Sequence, residues 1–115
     1  MSLLVLLLLA GAPDPARGEQ LYVSRCGACH SIDDNGAGPR HRGLFGRKAA
    51  TQPGFEYSEA LRKSGIVWSP AKVDRWLTNP NALVPGNKMV VQLANEPADR
   101  ADIIAFLKGA TKAKE

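Results

Sequence analysis

The residues best suited to chemistry form one short motif, Cys26-Gly27-Ala28-Cys29-His30, which places two thiols beside an imidazole. Cys26 and Cys29 are the only cysteines in the 115-residue chain, and a disulfide between them would close too small a loop to stabilise much. Thiols at this spacing can add to the vinyl groups of a porphyrin, with the adjacent imidazole directed at the iron. The motif therefore predicts one covalent haem c, attached through Cys26 and Cys29 and ligated by His30.

Two other kinds of site use such a cysteine pair, and both fit this sequence less well. A structural zinc site needs four ligands, commonly two such pairs, whereas this chain has no third cysteine and only one other histidine, His41. A thioredoxin-like redox dithiol requires a βαβ context, and no strand pattern surrounds the motif. Zinc and dithiol chemistry remain as the alternatives to haem attachment.

A low-spin, electron-carrying haem iron takes a second axial ligand, commonly a methionine or a second histidine. Met1 begins an apolar run, so Met89 is the only thioether in the rest of the chain. His41 is an alternative, but it lies only eleven residues after His30, which makes the opposite haem face difficult to reach. Met89 as ordinary core filler is the other alternative. The predicted metal ligands are His30 and Met89.

The start of the chain is predicted to be a targeting segment. Leu3 to Ala10 is an unbroken apolar run, too short to span a bilayer as a helix, and Ala10-Gly11-Ala12 has the small-x-small pattern of a signal-peptidase site. No Lys or Arg precedes the run. We predict a signal peptide over 1–12, a domain over 13–115 and export to the periplasm or an intermembrane-space-like compartment. A membrane anchor and a buried first strand or helix are the alternatives.

Composition limits the function classes further. The formal net charge is +4, but the basic residues are scattered without a stripe or a nucleic-acid motif, so no nucleic-acid partner is expected. Aromatic residues make up 6% of the chain, which leaves a thin core for a domain of this size. Short chains of this kind often depend on a cofactor for stability, and a haem would fill the interior.

The elements that must position these residues are helices separated by long loops. Apolar spacing predicts helices over about 16–28, 57–64, 70–79 and 97–108, with Gly109 just past the last one. The segments 31–53 and 79–88 read as irregular, and a long loop is uncommon in a compact domain unless it wraps something. The fold class predicted is all-α, with three to five helices and long loops around one covalent haem.

The sides of these helices can also be assigned. Gly18, Tyr22 and Cys26 share one side of the first helix, since residues four apart lie on the same face. On the last helix, Ala101, Ile104 and Ala105 share one face, with Ile103 and Leu107 flanking it.

With these features in order, the chain resembles class I cytochrome c, the group that includes mitochondrial cytochrome c and its bacterial soluble monohaem relatives. The resemblance covers roughly residues 18–108. Its motifs are Cys26-Gly27-Ala28-Cys29-His30, Gly38-Pro39, Gly43-Leu44-Phe45-Gly46-Arg47-Lys48, Pro53-Gly54-Phe55 with Tyr57, Gly65-Ile66-Val67-Trp68, Asn79-Pro80, Val84-Pro85-Gly86-Asn87-Lys88-Met89 and Asp99-Arg100-Ala101-Asp102-Ile103-Ile104-Ala105-Phe106-Leu107.

The resemblance implies further site residues. Pro39 matches the residue whose carbonyl accepts the ring N–H of the ligating histidine. Arg47, Tyr57 and Trp68 match positions that neutralise or hydrogen-bond the haem propionates, as buried carboxylates require. It also implies that Gly18 and Tyr22 pack against Ile103 and Phe106 where the first and last helices cross.

The function implied is electron transfer by a soluble, monomeric, non-enzymatic carrier of a respiratory or photosynthetic chain. Its expected partners are redox proteins: quinol–cytochrome c oxidoreductase, a terminal oxidase, a reaction centre or a dehydrogenase, with transient docking at membrane-bound complexes. One alternative is a cytochrome subunit of a periplasmic dehydrogenase, which an exposed apolar patch would favour. The other is an enzyme-like haem that binds peroxide or a gas after Met89 leaves the iron.

The sequence also departs from the resemblance near the predicted Met89 ligand. Trp76 stands where many relatives have a tyrosine whose hydroxyl reaches the methionine sulfur, and an indole N–H can donate but not accept. Val91 replaces a common aromatic residue, and Asn81 and Ala82 occupy positions that are often lysine. We therefore expect a changed methionine environment and a sparse basic rim, which Arg25, Lys63, Lys72 and Lys88 could supply.

Overall fold

The structure is a computed structural model that describes residues 12–114. The predicted signal peptide over 1–12 lies outside the described residues, apart from Ala12. The described chain contains five α-helices, and its only β-type pairing is an isolated bridge between Lys48 and Val67. The helices are α1 Pro15–Leu21, α2 Glu59–Arg62, α3 Pro70–Thr78, α4 Pro80–Leu83 and α5 Pro97–Ala110. The all-α prediction is confirmed, and none of the helices over 12–114 has the length and apolarity needed to cross a bilayer.

Helix α1 begins after a capping residue and is followed directly by a π-helical turn. The Asp14 side chain accepts hydrogen bonds from the backbone N–H groups of Ala16 and Arg17. Pro15 occupies the first helical position, where a backbone N–H would have no partner within the helix. The α-helical ladder then gives way to a π-helical turn over Tyr22–Cys26, which the sequence did not predict. Gly18, Tyr22 and Cys26 are all buried, so the side that these three residues share faces the interior.

Helices α1 and α5 cross with unusually close backbones. A Cβ atom built on Gly18 would lie 1.9 Å from the Asp102 carbonyl oxygen and 3.0 Å from the Phe106 Cβ. Next to it, the Tyr22 and Phe106 rings lie 5.3 Å apart. The implied packing of the first helix against the last, including the contact with Phe106, is therefore present, and the closest approach at Gly18 is to the Asp102 backbone.

The Asp102 carboxylate stabilises the same crossing. It accepts a hydrogen bond from the Asp14 backbone N–H at 2.8 Å and one from the Arg17 guanidinium at 2.8 Å. These interactions, with the Asp14 N–H contributing most, hold the pKa of Asp102 below its usual value of 3.8. Arg17 also pairs with Asp99. The start of the described chain is thus fastened to α5 by charge-assisted hydrogen bonds.

The lowered pKa of Asp102 predicts how stability depends on pH. The folded state favours the carboxylate, so this contribution is fully present above the unfolded pKa and is lost as pH falls below about 4. An Asp102→Asn variant should be less stable than wild type by roughly 1–3 kcal/mol at pH 7. Denaturant titration should show a smaller loss between pH 5 and pH 3 for the variant. The exposed Asp34→Asn serves as the control, and equal pH slopes for wild type and Asp102→Asn would contradict the assignment.

The buried side of α5 is formed by its larger apolar residues. Ile103, Ile104 and Leu107 are buried, whereas Ala101 and Ala105 are half-buried. Asp102, whose carbonyl faces Gly18 of α1, is buried as well. The helix also continues to Ala110, past the expected end at Lys108, because Gly109 remains helical.

The remaining helices are short and locally capped. Ser69 accepts from the Lys72 backbone N–H and Pro70 opens α3, as predicted. Helix α2 is shorter than the predicted 57–64, since Ser58 is its cap rather than part of it. The segment 79–88 was expected to be irregular but contains α4, which the Asn79 side chain caps by accepting from two backbone N–H groups. The long segment 31–58 contains no helix, as expected for 31–53.

Candidate functional site

All eight predicted site residues line one cavity of about 220 Å³. They come from separate parts of the described chain: the π-helical turn and the residues after it, the long loop, the segment between α2 and α3, and the segment between α4 and α5. These residues are Cys26, Cys29, His30, Pro39, Arg47, Tyr57, Trp68 and Met89. The rest of the wall is mainly apolar, with Leu44, Val73 and Leu77 among its members.

The two thiols stand at the end of the π-helical turn in different surroundings. Backbone hydrogen bonds from the Cys29 and His30 N–H groups to the Cys26 carbonyl, at 3.1 and 2.9 Å, fold the motif into a tight turn. Cys26 is buried and Cys29 is exposed, and no disulfide joins them. Burial raises the pKa of the Cys26 thiol to about 11.

The His30 ring is held by the loop that follows it. Its Nδ1 lies 2.8 Å from the Pro39 carbonyl oxygen, and because a carbonyl only accepts, Nδ1 carries the proton and Nε2 keeps its lone pair. Burial lowers the pKa of the His30 imidazole, which favours the neutral form that ligates metals. The ring rests against Gly38, where a Cβ atom would lie 2.4 Å from Cε1 and 2.6 Å from Nε2.

His41 lies beside His30 rather than across the cavity from it. The two rings stack with centroids 4.3 Å apart and planes 20° from parallel. The Tyr22 hydroxyl lies 2.8 Å from His41 Nδ1, and burial lowers the pKa of His41 to about 3. A ring stacked on His30 cannot also occupy the opposite axial position, so this geometry disfavours His41 as a sixth ligand.

Met89 lies on the segment between α4 and α5, and its sulfur has one polar partner. The Trp76 indole N–H donates to Met89 Sδ with a separation of 2.9 Å. The backbone N–H of Met89 donates to the Asn87 side chain at 2.6 Å, and the Asn87 amide donates in turn to the Val84 carbonyl at 2.9 Å. The local turn and α3 together fix the methionine side chain.

Gln52, a buried residue outside the cavity lining that the sequence did not point to, holds several polar residues of the wall in place. The Gln52 backbone N–H donates to the Tyr57 hydroxyl at 3.1 Å. Its side-chain oxygen accepts from Arg40 Nε at 3.1 Å, and its amide nitrogen donates to the Arg42 carbonyl at 2.9 Å. Arg47 donates to the same Arg42 carbonyl. Isolated in a loop, Gln52 offers no sequence signal that would have identified it.

The donors on this wall fit a ligand with an apolar body and an anionic end. Burial lowers the pKa of the Arg47 guanidinium, and it has no carboxylate partner within residues 12–114. The Trp68 indole N–H likewise has no acceptor in that part of the chain, although the residue is buried. Together with two thiols, a neutral imidazole and a thioether, this donor set suits a haem with propionates. Gly38 adds to the fit, since a side chain there would displace the His30 ring.

Comparisons with known proteins agree on one family. The family model for cytochrome c matches residues 15–111. Cytochrome c2 of Rhodomicrobium vannielii is 46% identical over 99 residues, which cover 84% of this chain and 78% of that protein. Cytochrome c of Chlamydomonas reinhardtii is 42% identical over 105 residues, covering 89% and 94% respectively. The solved structure of cytochrome cH from Methylobacterium extorquens superimposes with a TM-score of 0.78 at 43% identity, covering 83% of this chain and 97% of that one.

Proposed function

Since this chain belongs to the cytochrome c family, we propose that it is a soluble single-electron carrier with one haem c bound through Cys26 and Cys29 and ligated by His30 and Met89. One observation carries the proposal. His30, with Nε2 left free by its bond to Pro39, and Met89, with its sulfur held by Trp76, line the same cavity as the two thiols.

The chain's own residues would tune and protect the redox centre. When bound, the haem supplies an Fe(III)/Fe(II) couple. The Pro39 carbonyl keeps His30 in the tautomer that presents Nε2, and Met89 ligation with an apolar wall favours a high potential. Arg47, Tyr57 and Trp68 would bind the propionates, whose burial requires charge or donors. If His30 and Met89 both ligated the iron, no ligand position would remain for a substrate, as expected for a carrier rather than an enzyme.

The setting we propose is the periplasm, with residues 1–12 as a cleaved signal peptide. Relatives named cytochrome c2 and cytochrome cH come from bacteria, although relatives named cytochrome c from algae are also similar. Partners would be redox proteins of a respiratory or photosynthetic chain, such as quinol–cytochrome c oxidoreductase, a terminal oxidase, a reaction centre or a dehydrogenase. Docking would be transient and the protein monomeric, since electron-transfer contacts are small.

The alternative of a dehydrogenase subunit receives little support from the surface. The large apolar side chains exposed by more than half in the described chain are Val23, Val67 and Val90, at 67%, 53% and 82%. They lie on three separate segments of the chain. Single exposed apolar residues are normal on soluble proteins, so their exposure is by itself no reason to prefer a permanent subunit.

Intact mass and optical spectra test the proposed function. The mass of the purified protein should exceed that of the polypeptide by one haem, and it also locates the N-terminus. The ferric protein should show the weak long-wavelength band of methionine-ligated iron, and the reduced protein should bind negligible carbon monoxide at neutral pH. Met89→Ala should abolish the band and allow carbon monoxide binding, whereas Gln92→Ala, at an exposed residue of the same segment outside the cavity lining, should change neither. A wild-type ferric spectrum without the band would remove Met89 from this role.

The Trp76–Met89 hydrogen bond predicts a further measurable effect. Trp76→Phe removes the indole N–H but keeps an aromatic ring near Trp68, whose ring now lies 5.4 Å from that of Trp76. Loss of one hydrogen bond of about 1 kcal/mol should make displacement of Met89 by added imidazole about fivefold easier in the ferric protein. Imidazole titration measures this, with Gln92→Ala as the control. Equal affinities in wild type and Trp76→Phe would show that the hydrogen bond does not stabilise the ligand.

A further inference from the structure

Two guanidinium groups on the cavity wall lack an anionic partner. Arg40 and Arg47 both line the cavity, and neither forms an ion pair with a carboxylate anywhere in the described part of the chain. Both are held by neutral oxygens instead: Arg40 Nε donates to Gln52 Oε1 at 3.1 Å, and Arg47 donates to the Arg42 carbonyl. These bonds fix the side chains without compensating their charge.

Other arginines of the chain are arranged differently. Arg17, Arg25, Arg42 and Arg100 each pair with at least one carboxylate. Arg62 and Arg75 are exposed, so water solvates them. Arg40 and Arg47 are thus the partly buried arginines whose charge the described residues leave uncompensated.

The two groups are also close enough to influence the same neighbours. The positive charge of Arg40 acts to lower the pKa of Arg47, and both arginines act to lower the pKa of Tyr57 against the larger effect of burial. Gln52 connects them, since it contacts Arg40 and the Tyr57 hydroxyl. Two like charges sharing a partly desolvated wall repel each other unless an anion lies between or beside them.

We propose that Arg40 is a second anion-binding residue of this site and that, with Arg47, it binds a haem propionate. The inference rests on the proposed function. The bond from Nε to Gln52 leaves the two terminal nitrogens of Arg40 without an acceptor among residues 12–114, and these form the fork that binds a carboxylate. The ligand is therefore a carboxylate on an apolar body, held by two guanidinium groups rather than one.

A second guanidinium would also affect the redox equilibrium. A fixed positive charge near the iron disfavours Fe(III), which carries one positive charge more than Fe(II). The interior screens this interaction poorly, and added salt weakens it little because the group is partly buried. Arg40 should therefore raise the reduction potential in a way that persists at high ionic strength.

Three variants of the holoprotein test this role by spectroelectrochemical titration at low and high salt. Arg40→Met removes the charge and Arg40→Lys keeps it at similar length, while Arg62→Met removes an exposed charge as the matched control. At a fixed ambient potential, Arg40→Met should lower the reduced-to-oxidised ratio by roughly threefold to tenfold at both salt concentrations. Arg40→Lys should retain most of the wild-type ratio, and the smaller effect of Arg62→Met should disappear at high salt.

The outcomes separate this inference from the proposed function. If Arg40→Met matches Arg62→Met at high salt, Arg40 does not bind a propionate, even though the wild type carries its haem and methionine band. If the wild type lacks covalent haem, the proposed function itself is wrong. Should Arg40→Met fail to fold, Gln52→Glu provides the second test, because a carboxylate on Arg40 would compete with the propionate and should shift the ratio in the same direction.

Discussion

A Gly38→Ala variant should lose most of its haem-loaded form, because the new methyl group would occupy the position of the His30 ring. The Cβ would lie 2.4 to 2.7 Å from three atoms of that imidazole. The backbone cannot easily retreat, since the Gly38 N–H donates to the Cys29 carbonyl at 2.7 Å and the Gly38 carbonyl accepts from Gly36 at 2.9 Å. Either the ring turns away from Pro39 or the loop separates from the cysteine motif.

The expected loss in the free energy of unfolding is about 3 kcal/mol, at the upper end of the range for overpacked sites. The ratio of haem absorbance to polypeptide in purified protein measures loading, and the ferric spectrum reports whether His30 and Met89 still ligate. Normal loading with an unchanged spectrum would show that the loop can relax around the methyl group. In that case the close contact at Gly38 would not explain the choice of residue.

Gly18→Ala should destabilise the whole fold, by about 3 kcal/mol. The added Cβ would lie 1.9 Å from the Asp102 carbonyl oxygen and 2.5 Å from its carbon. Both are backbone atoms, so relief requires α1 to move away from α5. That movement would also weaken the bonds from Asp14 and Arg17 to the Asp102 carboxylate. The midpoint of denaturant unfolding measures the loss.

The same chain supplies a matched control at Gly109. It lies within α5, and a Cβ there would meet no atom within 4 Å. Gly109→Ala should therefore stabilise the protein by about 0.5–1 kcal/mol, the ordinary helix preference for alanine. If Gly18→Ala destabilises the protein while Gly109→Ala stabilises it, the loss at Gly18 comes from close backbone packing and not from helix propensity. Destabilisation by both substitutions to the same extent would contradict this explanation.

The features that could be predicted from the sequence are those set by interactions between residues close together in the chain. Ser69 and Pro70 place the start of α3 correctly because capping involves a few neighbouring residues. The cysteine motif is likewise predictable, because two thiols and an imidazole suited to haem attachment lie within five consecutive residues. The small helix α4 was missed because a run that begins with Pro80 between turn residues resembles a loop, and its cap at Asn79 is recognised only once the backbone is seen.

Features that depend on tertiary packing could not be predicted from spacing. Spacing places Ala101, Ile104 and Ala105 on one face of α5, but of these three only Ile104 is buried, together with the flanking Ile103 and Leu107. Which side of the helix faces inward depends on the elements packed against it. All eight candidate site residues do meet at one cavity. The roles of Gln52 and Arg40 were missed because they arise from contacts between loop residues that have no sequence periodicity.

The crossing of α1 and α5 also has a consequence for how the chain folds. The hydrogen bond from the Asp14 N–H to Asp102 joins residues 88 positions apart, so forming it closes a loop of nearly the whole described chain. Such closure costs entropy before distant contacts compensate for it, and folding slows as the mean sequence separation of contacts rises. The crossing therefore adds long-range contacts to a described chain whose regular structure is helical apart from one isolated β-bridge, and we expect slower folding than for a helical bundle of the same size whose contacts are mostly local.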